Sequence, residues 1–390
     1  MFHIVLNADR NYMKYVAVLL TNIIYYTDTH KKYADFLEDN KQIDFEQGSE
    51  KVSGGGGGGV EYYHFHILTS SLSEDTIHQF QKLQNTLSEK YPCKIELHIV
   101  ENDEFENLPK WGFEETKVDT AYYRIKLSQF LPKDVGKCLY LDTDMLVLTD
   151  LREIFVYDMG DYVIASSMGS PYKTQMKKQA VYRAKLGSRK KEIAFETSFH
   201  FCSGFMLVNV KEWIKQDIEA KAMYFLTQYH TEFADQDALN FALCDKKVLD
   251  LGSRWGLLVY QYIFSLCDNE TSQDEIKQYN EALLHSKVLH CNGSAKAWFG
   301  VSKIVSSFVP NHYPYKHIWY EMAKKCNTFI DELEKNIKEI EQDDLAHYTL
   351  LSARLIRQER KDLHRIRKWI RRLDRLKNPK KLLGRIFPRN

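Results

Sequence analysis

The sequence predicts an α/β fold with a mostly parallel sheet flanked by helices, followed by a basic helical extension. Three observations carry this. Short runs of β-branched and aromatic residues alternate with helix formers over residues 1–310. The alternation stops near Asn311, and helix formers dominate residues 311–390. With 390 residues, 44% of them hydrophobic, the chain can bury one large core or two ordinary ones.

The elements follow in order. "FHIVLNA" reads as a first buried strand, with a helix from Met13 through Tyr26. "YYHFHILTS" is a second strand, and Ser71 with Glu74 forms a capping-box pattern that opens a helix toward Tyr91. "CKIELHIV" is a third strand, a helix covers Ala121 to Leu131, and "KCLYLD" is a fourth strand. "YVIASS", "GFMLVNV" and "KVLDL" follow, separated by helical segments such as Lys211 to Gln228. Ligands of such sheets gather at the carboxyl ends of strands, where Asp9 and Asp142 both stand.

Charge is unevenly spread. The net charge is +1, but Arg354 to Asn390 holds 15 Lys/Arg against three acids, leaving about −11 for the rest. The net charge gives no overall hint of a nucleic-acid partner, and for the tail nucleic acid ranks third because its aromatics are sparse. In the tail, Leu363, Ile366, Ile370 and Leu373 recur at helical spacing beside Trp369, among arginines. That pattern suits a basic amphipathic segment on anionic lipid; a solvated helix docked on the domain is the plainer alternative. Seven scattered cysteines form no CxxC pair and no dense disulfide frame, which fits a reducing compartment. The first residues carry no signal-peptide pattern, and Val16 to Tyr26 is too short to span a bilayer. A soluble protein, or one held at a membrane surface, is expected. The polyglycine run Ser53 to Gly59 lacks a following Lys-Ser/Thr and precedes a strand, so it is not a phosphate loop. Residues 28–61 read as a long polar insertion with a flexible middle.

The chemistry concentrates in "LYLDTDMLVLTD". Residues i and i+2 of a strand share a face, so Asp142 and Asp144 can converge just past its end. Two carboxylates so close need a proton or a cation between them, and hard oxygen ligands favour Mg²⁺ or Mn²⁺. Ordinary turn aspartates are the alternative. Asp150, with Glu153 three residues on, reads instead as a helix cap. In "LHCNGSAKAW", His290 could complete a metal site, Gly293 would let backbone amides approach a phosphate, and Lys296 would neutralise a diphosphate.

"VLNADRNY", "TAYYRIKL", "LYLDTDML", "FCSGFMLVNV", "FADQDALN" and "LHCNGSAKAW" occur in the order seen in glycosyltransferase family 8, which the chain resembles from Phe2 to Gly300. The resemblance implies a GT-A fold and a retaining transferase. It would use a UDP-sugar (UDP-galactose or UDP-glucose), Mn²⁺ or Mg²⁺, and a lipopolysaccharide-type saccharide acceptor. Asp142, Asp144 and His290 would hold the metal with the diphosphate. Asn7, Asp9, Asn11 and Tyr12 would form the uridine pocket, and Thr143 joins the donor-binding residues. Gly293 and Lys296 would grip the diphosphate. Arg124, Asp235 and Gln236 would face the donor sugar as the catalytic group, Gln236 stabilising an oxocarbenium-like ion rather than attacking it. Asp235 also suits a helix N-cap. The expected location is cytoplasmic, at the inner face of the membrane through residues 354–390.

Three positions depart from the family pattern. Cys202 stands where Asn is frequent, Ala297 replaces a proline before Trp298, and residues 28–61 are longer than usual. Other functions that use such residues are a phosphohydrolase with a nucleophilic aspartate and a non-catalytic saccharide-binding protein of the same fold.

Overall fold

The computed structural model describes residues 1–39, 60–101, 104–108, 119–171, 178–185, 192–197, 200–244, 248–268, 270–304 and 313–377. The polyglycine middle of the insertion, the predicted boundary near residue 310 and the last tail residues lie outside the described residues.

Twelve strands are described: β1 (Phe2–Asn7), β2 (Tyr63–Thr69), β3 (Cys93–Ile99), β4 (Lys137–Leu141), β5 (Met145–Val147), β6 (Ile164–Ser166), β7 (Lys178–Arg183), β8 (Glu192–Thr197), β9 (Phe205–Asn209), β10 (Val248–Asp250), β11 (Trp255–Leu258) and β12 (Val288–His290). Seven form the main sheet in the order β10-β6-β9-β4-β1-β2-β3. Its pairs are parallel except for β9, which runs antiparallel to both β4 and β6. The fold is thus α/β with a mixed, mostly parallel sheet.

Both faces of this sheet are covered, which is why β1 and β2 are buried at every residue. Phe2, Ile4 and Leu6 face a core shared with the helix Met13–Tyr25. Val5 faces a second core with Tyr140 and Val208. The entry to Met13–Tyr25 is fixed by Asp9, whose Oδ1 accepts from Asn11 N at 2.7 Å and Tyr12 N at 3.1 Å.

A small sheet, β11-β12-β5, positions the site. β5 begins immediately after Asp144, and antiparallel pairing sets His290 opposite Met145. Cys291 N donates to Asp144 O at 2.8 Å, and Asp142 N donates to Gly204 O at 2.8 Å. The turn carrying both aspartates is therefore clamped from two sides.

The structure corrects several local expectations. The helix toward Tyr91 is capped by Ser73, whose hydroxyl accepts from Thr76 N at 3.1 Å, and not by Ser71 with Glu74. Lys211 to Gln228 is two helices, Val210–Lys215 and Ile218–Gln228, broken where Asp217 takes φ +56°. The helix expected over Ala121 to Leu131 is a 3-10 helix, Thr120–Phe130. Asp235 is not the cap of Ala234–Ala242, because its carboxylate is turned to Arg124 and Ser203. Asp150 does cap Leu151–Val156, yet Glu153 pairs with Lys287 instead of closing a box.

The helices Lys316–Lys325 and Ile330–Lys377 begin the C-terminal region, and their early residues Trp319, Met322, Leu333, Ile337 and Ile340 join the first core. Farther along the 48-residue helix the side chains Leu363, Ile366, Trp369 and Ile370 are exposed. No helix among the described residues is long and apolar enough to cross a membrane.

Candidate functional site

A cleft of about 460 Å³ opens at the carboxyl ends of β1 and β4. Asp142 and Asp144 form its floor with His290. Each offers a ligand atom, and the three atoms lie within 4.8 Å of one another. His290 Nε2 is 3.1 Å from Asp144 Oδ1 and 3.8 Å from Asp142 Oδ2. The donor set, two carboxylates and an imidazole, suits Mn²⁺ or Mg²⁺ in chemistry and in spacing. Gly204 underlies this convergence. A Cβ there would come within 2.7 Å of both Asp142 Oδ2 and His290 Cε1.

Cations compensate the carboxylates. Lys296 Nζ pairs with Asp144 Oδ2. Arg124 Nη2 pairs with Asp142 Oδ1 at 2.7 Å, and Tyr140 OH donates to the same oxygen at 2.7 Å. Burial alone would raise the Asp144 carboxyl, but Lys296 and His290 pull it well below the usual range. Burial likewise opposes charge on His290, yet Asp144 raises it well above the usual imidazole value. On the far ring nitrogen, His290 Nδ1 lies 3.4 Å from Cys202 Sγ.

A second constellation faces the first. Arg124 is buried with its guanidinium 4.7 Å from the Tyr140 ring centroid. Its Nε lies 3.1 Å from Asp235 Oδ2, and its Nη1 donates to Ser203 Oγ at 3.0 Å. Ser203 Oγ donates to Asp235 Oδ2 at 2.9 Å, while Ser203 N donates to Gln236 Oε1 at 3.2 Å. Burial pushes the Asp235 carboxyl up to about 6, against the opposing pull of Arg124. Burial disfavours the Arg124 charge too, but Asp142 and Asp235 outweigh it and hold the group above its usual value.

The third wall comes from β1 and its exit. Asn7 Nδ2 donates to Thr120 O, the Tyr140 hydroxyl that faces Asp142 also lies against Asn7 Oδ1, and Thr143 Oγ1 donates to Asn7 O at 3.1 Å. Burial raises the Asp9 carboxyl, partly offset by the amides of Asn11 and Tyr12. Tyr12 packs edge-on against Trp298, with ring centroids 5.7 Å apart. Gly293 takes φ +57°, the left-handed turn that glycine tolerates.

Twelve of the proposed donor-site and catalytic positions line this cleft together: Asn7, Asp9, Tyr12, Arg124, Asp142, Thr143, Asp144, Asp235, Gln236, His290, Gly293 and Lys296. Asn11 does not. It is exposed on the first turn after Asp9 and contributes its backbone N–H to Asp9. Sequence reasoning missed Tyr140 and Ser203 and noted Cys202 only as a departure. Tyr140 was within reach, since it precedes Asp142 by two and shares its strand face. Ala297 is buried, and its loop is fixed by Tyr313 OH donating to Ala295 O at 2.7 Å and by Trp298 stacked on Tyr15 at 4.0 Å.

The fold and site together define a GT-A glycosyltransferase scaffold, and the comparisons with known proteins agree. Residues 3–301 match the family described as Glycosyl transferase family 8, so the chain belongs to that family. It is 27% identical over 215 residues to general stress protein A of Bacillus subtilis, covering 53% of this chain and 66% of that protein. It is 25% identical over 190 residues to the lipopolysaccharide glucosyltransferase WaaO of Escherichia coli, covering 47% of this chain and 51% of that protein. The chain thus spans between half and two-thirds of the length of these relatives. The galactosyltransferase LgtC, solved with donor and acceptor sugar analogs, aligns with a TM-score of 0.55 at 21% identity, covering 86% of this chain and all of that one.

Proposed function

We propose that the chain transfers galactose or glucose from a UDP-sugar to a lipopolysaccharide or lipooligosaccharide saccharide, with retention, using Mn²⁺ or Mg²⁺. The observation that carries this reading is the convergence of Asp142, Asp144 and His290 beside Lys296, with the Asn7–Asp9–Tyr12 wall on one side and Arg124, Asp235 and Gln236 on the other. The metal would sit on Asp142, Asp144 and His290 and supply Lewis-acid stabilisation to the departing diphosphate. Lys296 would exchange its Asp144 partner for a phosphate oxygen, placing an ammonium where negative charge develops. The Asn7–Tyr12 wall would seat the uridine.

Gln236 and Asp235 are tied through Ser203, so the sugar-facing wall is held as one unit. An amide is a poor nucleophile, and Gln236 would stabilise a same-face ion pair by its dipole. The intact metal donor set favours catalysis over saccharide binding alone. The acceptor would be lipid-linked, with the exposed apolar and basic face of the helix Ile330–Lys377 at an anionic cytoplasmic membrane surface.

The test is a thermal-shift panel of UDP-glucose, UDP-galactose and UDP-N-acetylglucosamine with and without Mn²⁺. One hexose donor should raise the Tm only when Mn²⁺ is present. No donor-specific, Mn²⁺-dependent shift would reject the reading.

A further inference from the structure

Away from the cleft, the β1–β2–β3 side of the sheet gathers four histidines on one face. His3 lies opposite His64 in register, and His66 opposite Glu96, so His3, His64, His66, Glu96 and His98 project together. They lie on the face of Val5, not on the face covered by Met13–Tyr25. His3 is four residues before Asn7, about 13 Å along β1 at the usual strand rise, so this cluster is separate from the cleft.

The contact with Glu96 fixes the tautomer of His64. His64 Nε2 lies 2.9 Å from Glu96 Oε2. The Lys94 ammonium, 2.9 Å from the same oxygen, holds the Glu96 carboxyl down at about 2, so it is an acceptor only. His64 therefore carries its proton on Nε2 and leaves a lone pair on Nδ1. That Nδ1 is buried and has no hydrogen-bond partner. His64 itself is only 4% exposed. An unpaired buried acceptor is costly, and a ligand that takes up its lone pair would remove that cost.

His66 is bonded on both nitrogens, Nε2 to His3 Nδ1 at 3.0 Å and Nδ1 to His98 Nε2 at 3.1 Å. One nitrogen each from His3, His64 and His66 lies within 4.8 Å of the other two. Burial, reinforced by neighbouring imidazoles, keeps these rings neutral, the form that ligates.

We propose that His3, His64 and His66 form a binding site for a first-row transition metal of the Zn²⁺ class. Three imidazole nitrogens select Zn²⁺ and its neighbours over Mg²⁺ and Mn²⁺, opposite to the oxygen-rich preference of Asp142 and Asp144. Glu96 acts as the carboxylate behind a ligating histidine, orienting His64 with Nδ1 toward the metal. Binding needs no net proton loss: His66 keeps its proton on Nδ1, donating to His98, His64 keeps its own on Nε2, and His3 moves its proton from Nδ1, where it donates to His66 Nε2, to Nε2. The metal replaces the His3–His66 hydrogen bond, and a water completes a tetrahedral set.

The test uses the full chain freed of metal, carrying Asp142→Asn and Asp144→Asn so that the cleft is silenced. Zn²⁺ is titrated by calorimetry, and Co²⁺ by its visible absorption, which reports tetrahedral nitrogen ligation. The expected result is about one equivalent of each, weakened more than about tenfold by His64→Gln and less than that by His98→Gln. Circular dichroism checks that each variant is folded, and Glu96→Gln provides a second variant at the exposed rim, expected to weaken binding without removing it. No Zn²⁺ bound in the cleft-silenced protein would overturn the proposal. So would equal binding by folded His64→Gln, or a greater loss from His98→Gln than from His64→Gln.

Discussion

His290 Nε2 lies 3.1 Å from Asp144 Oδ1, although His290 ends β12 and Asp144 lies in the turn before β5, far away in sequence. The pairing of β12 with β5 makes this contact obligatory, because His290 sits opposite Met145, the residue after Asp144. The ring is thereby held ready for a shared cation.

Asp144→Asn should therefore remove Mn²⁺-dependent stabilisation by a UDP-sugar while leaving the fold intact. Lys296 and His290 lose their anionic partner, so the metal-free protein should also lose about 1–3 kcal/mol. Calorimetric titration of Mn²⁺ and denaturant melts measure the two effects separately.

Cys202→Ala tests the support behind the ligand. The thiol is 3.4 Å from His290 Nδ1, and its loss frees the far side of the ring. Mn²⁺ affinity should fall by about 10- to 100-fold, with the melting temperature little changed. Unaltered affinity would remove Cys202 from any role in orienting His290.

Gly204→Ala is the steric counterpart. The added methyl would meet Asp142 Oδ2 and His290 Cε1, each at 2.7 Å, and both must move apart. A stability loss of about 1–3 kcal/mol is expected from overpacking, together with loss of the Mn²⁺ thermal shift. Retention of that shift would mean that the two ligands tolerate wider separation.

Asp235 gives a pH prediction. Burial raises its carboxyl to about 6, so the folded chain holds a proton that the unfolded chain has released. Stability contributed by this group is therefore lost as pH rises from the ordinary carboxylate value through about 6, then stays level. The total fall is about 3 kcal/mol at about 1.4 kcal/mol per pH unit. Asp235→Asn, which cannot titrate, should flatten that window in urea melts at pH 4 to 7.

What the sequence disclosed depended on the range of the interaction. Asp142 and Asp144 could be placed together because strand alternation is local, and β4 has a clear apolar run ending at Leu141. β5 and β12 have three residues each, too few for any periodicity, so their pairing was not legible even though His290 was suspected. β11, with four residues, is scarcely longer. Asp235 looked like a cap because local rules cannot see Arg124, which arrives from the 3-10 helix Thr120–Phe130 and claims the carboxylate. The split at Asp217 was hidden for a related reason: a left-handed residue needs a turn that composition does not specify. The histidines of "YHFHIL" do alternate visibly, but their partners His3 and His98 lie on other strands.

The long C-terminal helix divides by environment, and that division sets the last prediction. Leu333, Ile337 and Ile340 are buried in the first core, and Lys14 pairs with Glu332 at 3.0 Å. Farther on, Leu363, Ile366, Trp369 and Ile370 are exposed. The segment from Arg354 carries 15 basic residues against three acids, and each base near an anionic surface contributes about 1 kcal/mol. Deleting Arg354 to Asn390 should therefore release the protein from vesicles containing anionic lipid while leaving UDP-sugar hydrolysis unchanged, because the packed first turns remain. Binding of the full chain should weaken with added salt and be slight on neutral vesicles. Trp369→Ala should reduce vesicle binding without altering its salt dependence, since it removes apolar insertion and no charge. Equal vesicle binding by the truncated chain would refute the tail's part in membrane attachment and leave the exposed apolar face to a protein partner.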